Sequence, residues 1–142
     1  MADDSAGRFA LLYGRGGVFG CYPGTDPADP VQDPVVPVGP LDWLPGPVSV
    51  DFDSSIVPGD LVPGEPVPEG LEMVAGRVSS DVARVTYTVD GRSGADAVTN
   101  GTYLIRIRYR ASADDERPSS MGVVTAYDAV GAESPRCTSR AR

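Results

Sequence analysis

The chain has 142 residues, a length at which one domain buries roughly two thirds of the surface of its unfolded chain. All twelve basic residues are arginine, histidine is absent, and the formal net charge of −8 disfavours nucleic acid and anionic membranes as partners. Without histidine or lysine, the chain has no Ser-His-Asp or Cys-His catalytic site, no Schiff-base amine and no P-loop lysine.

Targeting signals are not evident in the sequence. No stretch reaches the roughly 20 apolar residues that a membrane-spanning helix needs. The first residues, Met-Ala-Asp-Asp-Ser, are acidic where a signal peptide is basic. Val18-Phe19-Gly20-Cys21 superficially matches a lipoprotein cleavage site, but Arg15 and several glycines interrupt the apolar stretch before it. We expect either a cytoplasmic protein or a segment that follows a removed signal or anchor.

Residues 8–22 are predicted to form a β-hairpin, because the apolar runs 9–13 and 18–22 flank a glycine-rich turn at 14–17. The glycines weakly resemble a phosphate-binding turn. Pro23 follows the second run, however, so no helix N-terminus is available to bind a phosphate. A hairpin turn is therefore favoured over a nucleotide site.

Residues 23–70 form a proline-rich zone that contains twelve of the fourteen prolines. Proline removes backbone donors and restricts φ, so this zone is predicted to be irregular, with no helix and no central strand. Residues 48–52 are expected to form one edge strand. Leu41, Trp43 and Leu44 are expected to pack on the core, although a lone tryptophan also suits carbohydrate stacking. The Asp-Pro pairs indicate an extended, solvated run.

The chain after the proline-rich zone alternates apolar and polar residues with a period of two, which is typical of β-strands. Asp90-Gly91 and Asn100-Gly101 are typical of two-residue hairpin turns. Asn100-Gly101-Thr102 also matches a glycosylation sequon, but the turn explains it better. An acidic loop is predicted at 113–120. No segment keeps a helical period, so we predict an all-β protein. The predicted strands are 71–78, 82–89, 95–99, 102–110 and 121–128.

Two segments carry a resemblance to a known class of domain. Residues 82–91 read VARVTYTVDG, and residues 124–134 read VTAYDAVGAES, with a V-x-A-x-D-x-x-G strand and turn. Over residues 71–134 the chain resembles bacterial immunoglobulin-like and fibronectin type III-like domains. With residues 74–78 it is similar to uncharacterised extracytoplasmic domains of high-GC Gram-positive bacteria. The resemblance implies a mostly antiparallel immunoglobulin-like β-sandwich that binds, spaces or senses. Residues 1–70 depart from a simple module of this kind, because the proline-rich zone is too long for an ordinary loop. The length of the chain predicts a single β-domain over residues 1–142.

Three arginines alternate with apolar residues in the predicted strand 102–110. Neighbours in such a row are about 6.6 to 7 Å apart along the strand, so their repulsion in water is only about 0.6 kcal/mol per pair. The row is either a solvated face neutralised by acidic residues on neighbouring strands or a binding patch for an acidic partner. The outward residues are Arg106, Arg108 and Arg110, and the inward residues are Tyr103, Ile105, Ile107 and Tyr109.

Carboxylates are the remaining candidates for catalysis or metal binding. Asp51 and Asp53 are expected to share one strand face, and Asp114, Asp115 and Glu116 cluster in the acidic loop. Neither set has the ligand spacing of an EF-hand, and zinc would lack histidine ligands. We therefore expect no metal and no cofactor, although two carboxylates that meet in space would suit a hydrolase.

From these patterns we expect a non-enzymatic binding or sensing ectodomain of a bacterial cell-surface or secreted protein, which contacts a protein, an acidic polymer or a glycan. The arginine row is the expected contact surface. A structural or assembly module that uses the proline-rich zone as a protein contact is the second interpretation, and a carboxylate-based hydrolase is the third. The expected location is extracytoplasmic, with a cytoplasmic location as the alternative.

Cys21 and Cys137 are predicted to form one disulfide in protein made under oxidising conditions. A bridge that closes so long a loop would stabilise the fold by about 4 to 5 kcal/mol in the chain-entropy model. The alternative is two small buried thiols in a reducing compartment. Alkylation without reductant, followed by mass measurement, distinguishes the two: two labelled thiols in folded, oxidised protein would contradict the bridge.

Overall fold

A computed structural model describes residues 2–4, 7–14, 17–22, 31–32, 44, 46–56, 63–110, 122–133 and 137–138. The described residues form eleven β-strands and contain no helix, which confirms the all-β prediction. Among them there is accordingly no helix of the length and apolarity that crossing a membrane requires. The chain divides into two compact units, residues 1–44 and 45–142, and each is described by itself. A single domain over the whole chain stays a prediction.

The N-terminal unit contains one antiparallel sheet of four strands in the order β1-β2-β3-β4. Strands β2 and β3 pair in a continuous register, with Leu12 opposite Phe19 and Gly14 opposite Gly17. This pairing confirms the predicted hairpin. The strands are β1 (Ala2–Asp4), β2 (Gly7–Gly14), β3 (Gly17–Tyr22) and β4 (Val31–Gln32).

The C-terminal unit contains two antiparallel sheets. The strands are β5 (Phe52–Ile56), β6 (Glu69–Arg77), β7 (Val82–Val89), β8 (Arg92–Ala97), β9 (Thr102–Arg110), β10 (Val123–Asp128) and β11 (Cys137–Thr138). One sheet has the order β5-β6-β9 and the other has the order β11-β10-β7-β8. The longest pairing joins all nine residues of β6 to β9.

Both sheets contribute to a single hydrophobic core. Val74 and Ile105 from the β5-β6-β9 sheet and Val85 and Val124 from the other sheet are buried in the same cluster. A side chain at Gly94 of β8 would collide with Ile105 of β9, which shows how closely the two sheets approach there. The unit is therefore a β-sandwich, as predicted.

Both predicted two-residue turns form. The Asp90-Gly91 turn joins the paired strands β7 and β8, whereas the Asn100-Gly101 turn closes one bridge, between Thr99 and Thr102, and connects strands of different sheets. Asp90 and Gly91 have φ angles of 46° and 72°, and Asn100 and Gly101 have 53° and 71°. Both central residues of each turn thus have the positive φ that a type I′ turn requires. Because a two-residue turn ends at Gly91, β8 begins at Arg92, three residues earlier than the sequence predicted.

Two details of strand placement differ from the predictions. The edge strand expected at 48–52 lies at Phe52–Ile56, and Val48 makes an isolated bridge to Val78 instead. A strict period of two from residue 82 to residue 89 predicts Ala83 on the same face of β7 as the buried Val85, but Ala83 is exposed and Val82 is buried in its place. The register between β7 and β10 shifts at Tyr127 and Asp128, and a shift of one residue exchanges the two faces of a strand.

The turn after β10 is held by the carboxylate of Asp128. Its Oδ1 accepts the backbone N–H groups of Val130 at 3.0 Å and Ala132 at 2.8 Å. Gly131, with φ +87°, then allows the chain to reverse direction. The V-x-A-x-D-x-x-G pattern therefore has a local physical cause, since Val124 and Ala126 enter the core while the aspartate and glycine form the turn.

Substitution of Asp128 by alanine is expected to lower the free energy of unfolding by about 1 kcal/mol, because two backbone N–H groups lose an acceptor that water only partly replaces. Asp128→Asn is the matched control: it keeps an oxygen acceptor and is expected to lose less. Urea denaturation measures both variants. An equal loss in both would show that the charge stabilises the turn and that the acceptor atom does not.

Candidate functional site: the arginine row of strand β9

The side chains of β9 alternate between the core and the outer face of the β5-β6-β9 sheet. Ile105 and Ile107 are buried, whereas Arg108 and Arg110 are exposed and Arg106 is half-buried. The predicted separation of arginines from apolar residues is confirmed along this strand. Exposure increases along the row, so its accessible part is the end formed by Arg108 and Arg110.

Glu69 of β6 lies beside the accessible end of the row. Strand pairing places Glu69 of β6 opposite Arg110 of β9. The Glu69 carboxylate forms an ion pair with Arg108 and lies 3.9 Å from Nε of Arg110. The Arg110 side chain is nevertheless 78% exposed. Exposed pairs of this kind stabilise a fold by about 0 to 1 kcal/mol, so the glutamate offsets part of the positive charge and adds little to stability.

The inner end of the row has a different environment. Arg106 lies opposite Met73 of β6, which is only 2% exposed. Leu71 and Ala75, on the same face of β6, are also buried. Residues 70–76 of β6 are thus buried on both faces, and Arg106 borders the apolar surface that Leu71, Met73 and Ala75 form.

A fourth arginine lies near the end of β9 and was not identified from the sequence. Arg92, the first residue of β8, places its guanidinium carbon 3.8 Å from the centroid of the Tyr109 ring. The ring also covers Gly70 of β6, where a Cβ would lie only 2.3 Å from the ring carbon Cζ. The type I′ turn at Asp90-Gly91 is the sequence signal that locates Arg92 at the start of β8.

Glu72 is a second acidic residue that sequence reasoning missed. Strand pairing places it beside Ile107 on the core side of the sheet, and it is 5% exposed. Its carboxylate accepts a hydrogen bond of 2.8 Å from the Ser55 hydroxyl. Burial raises the pKa of Glu72 above its usual value, the Ser55 hydrogen bond opposes that shift, and the charges of Asp90 and Arg92 have smaller effects of opposite sign.

Asp51 and Asp53, the candidate carboxylate pair, lie in different environments. Asp51 is buried and makes a bidentate ion pair with Arg77, with its Oδ2 at 2.7 Å from Nε and its Oδ1 at 3.1 Å from Nη2, whereas Asp53 is exposed. The Asp51 carboxylate, just before β5, therefore holds the side chain of Arg77, the last residue of β6. Among the described residues, no group of three or more acidic or cysteine side chains is placed to hold a metal ion.

Several predicted features fall outside what the structure describes. Leu41, Trp43 and the acidic loop 113–120 lie outside the described residues. The backbones of Cys21 and Cys137 lie in β3 and β11, in separate units, and their side chains are not among those described. The disulfide and the packing of Trp43 on the core stay predictions, and carbohydrate stacking stays the alternative for Trp43.

Comparison with known proteins identifies no relative. No family model matches the chain, and it matches neither a curated protein nor a solved structure. Inferences about its function therefore depend on the chemistry of its own residues.

Replacement of Glu72 by glutamine is expected to stabilise the protein at neutral pH. The pKa of Glu72 is higher in the folded protein than in the unfolded chain, so the folded protein binds the proton of this group more tightly. This preference stabilises the fold fully at a pH below the unfolded pKa, and the stabilisation is lost as pH rises through the folded pKa. Glutamine keeps an acceptor for Ser55 and never carries the charge. The gain over wild type should therefore be larger at pH 7 than at pH 4.

Thermal denaturation across this pH range measures the effect, with Glu65→Gln as the matched control because it changes net charge equally at an exposed position. A gain that is independent of pH, or one reproduced by Glu65→Gln, would contradict the assignment to the buried carboxyl group.

Proposed function

We propose that this protein is a non-enzymatic binding or sensing module that recognises an acidic partner through the outer end of the arginine row. The single observation that carries the proposal is the placement of Arg108 and Arg110 on one exposed strand face in a chain of net charge −8. A local positive surface on a negative protein favours one docking orientation for an acidic partner and accelerates its encounter.

The geometry of the row suits a chain of spaced acidic groups. Side chains two residues apart on a strand project from the same face about 6.6 to 7 Å apart. Arginine offers a planar fork of donors to carboxylate or sulfate oxygens. Glu69 already occupies part of this surface, so an acidic ligand competes with it, and the expected binding is weak and sensitive to salt.

The strand order of the C-terminal unit supports the kind of module proposed. Lettered A to G in chain order, β5 to β11 form the sheets A-B-E and D-C-F-G. Immunoglobulin constant domains have the sheets A-B-E-D and C-F-G. The unit keeps the A-B-E and C-F-G pairings, and its fourth strand joins the second sheet. This order supports a proposed immunoglobulin-like or fibronectin type III-like domain, and such domains are frequent at cell surfaces, which favours an extracytoplasmic location.

The proposal is tested with heparin and poly-L-glutamate as acidic probes. Replacement of Arg108 and Arg110 by glutamine is expected to weaken binding roughly twofold to fivefold per arginine, the range of exposed ion pairs, and to make binding less sensitive to salt. Stability should change by less than about 0.5 kcal/mol. Arg84→Gln, which removes an exposed arginine from the other sheet, is the matched control and should bind like wild type.

Glu69→Gln supplies a change of opposite sign. It removes the internal competitor, so both probes should bind more tightly than they bind wild type, and more tightly than they bind Glu65→Gln, which changes net charge equally. Titrations at low and high salt measure these differences. Unchanged binding in the arginine variant, accompanied by lower stability, would leave the row as a purely structural feature of the sheet.

A further inference from the structure

Strand β8 forms one edge of its sheet, and its ladder geometry determines which backbone groups face outward. The Val98 N–H donates to the Ala83 carbonyl at 3.1 Å, and in an antiparallel ladder hydrogen-bonded pairs recur every second residue. Val85 with Asp96 and Tyr87 with Gly94 are therefore the hydrogen-bonded pairs. It follows that the N–H and C=O groups of the intervening residues, Ser93, Ala95 and Ala97, point away from β7.

The side chains of these three residues are exposed, small and uncharged. Native proteins usually protect an edge strand with charged residues, proline or a bulge. None of these is present at the three outward positions, and the pairing of β8 with β7 runs without a register shift.

The neighbouring edge strand β9 is protected. Asp96 of β8 accepts the backbone N–H of Leu104 at 3.0 Å, which occupies that part of the β9 edge, and the arginine row follows it along the strand. This hydrogen bond uses one oxygen, Oδ2, of the Asp96 carboxylate. Of these two edges, β8 is the one suited to pair with another strand.

We propose that β8 pairs antiparallel with β8 of a second copy of this chain, which joins two sandwiches through one continuous sheet. The register follows from the outward groups: Ala95 lies opposite Ala95 of the second copy, and Ser93 lies opposite Ala97. Each of these pairs can exchange two N–H···O bonds, and a two-fold axis through the central pair makes the contact close on itself.

Charge complementarity favours a second copy as the occupant. In this register Gly94 lies opposite Asp96 of the second copy, so Arg92 becomes its diagonal neighbour on the same face. Diagonal neighbours lie about 7 to 8 Å apart, within reach of a long side chain. Symmetry produces this arginine–aspartate pair twice. The net charge of −8 on each copy opposes association over longer distances, so the dimer is expected to strengthen as salt screens that repulsion.

Sedimentation equilibrium of the full chain over a range of concentrations tests the proposal. Wild type should dimerise, more tightly at high salt than at low salt. Ala95→Pro removes an N–H that points away from β7, and it should weaken the dimer about tenfold or more, which corresponds to 1.4 kcal/mol. Ala95→Thr keeps the N–H and is the matched control, expected to dimerise like wild type.

Hydrogen exchange locates the contact: the amides of residues 93, 95 and 97 should exchange quickly in dilute protein and slowly in concentrated protein. If Ala95→Pro fails to fold, Ala95→Lys, which places like charges opposite each other, should weaken the dimer, whereas Ala83→Lys should not. Wild type that stays monomeric at every concentration would overturn the proposal. Dimerisation without concentration-dependent protection of these amides would also overturn it. So would slow exchange of these amides in dilute protein, because the edge of β8 would then already be covered by the chain itself or by an extended peptide.

Discussion

Burial of Ile105 and Ile107 between the two sheets is the constraint on which the other features of the C-terminal unit depend. Each buried side chain of this size contributes about 1.5 to 3 kcal/mol, far more than any exposed charge contact on this strand. Because side chains alternate along a strand, fixing the isoleucines inward turns the arginines between them outward. The position of the row is therefore a consequence of the core, and its charge is tolerated because water surrounds its exposed end.

The same core accommodates two acidic residues by different means. Asp51 is buried with a bidentate arginine partner, so its charge is compensated directly. The Glu72 carboxylate accepts a hydrogen bond from the Ser55 hydroxyl, and burial raises its pKa. Loss of contact with water favours the neutral form of a buried carboxyl group. The Asp51–Arg77 ion pair joins the residue that precedes β5 to the last residue of β6, and the buried Glu72 makes the stability of the fold depend on pH.

The edge strands β8 and β9 differ in the side chains that protect them against pairing with another strand. Arginines and the Asp96 contact follow β9, and charged side chains along an edge strand make it a poor template for another strand. The outward positions of β8 lack these protections. The charged edge of β9 discourages strand pairing, and this effect is compatible with the proposed role of the arginine row in binding an acidic ligand.

Local patterns in the sequence determined a large part of this fold. Strands β7 and β9 have the predicted bounds, and both hairpin turns follow from Asp-Gly and Asn-Gly pairs, because positive φ angles at two successive positions depend mainly on those residues. The outward direction of the arginines likewise follows from a period of two. These properties are set within a few residues of chain, so an isolated stretch of sequence contains the information that specifies them.

Only the tertiary structure decided which strands became neighbours and what surrounds each charge. Glu69 lies 39 residues before Arg108, and their contact exists because β6 pairs with β9 across the intervening hairpin. The burial of Glu72, the partner of Asp51 and the open edge of β8 depend in the same way on sheet order. The alternation of apolar and polar residues in a strand shows which residues share a face. It does not show which strand will pair with it, because strand pairing depends on packing between segments that are distant in sequence.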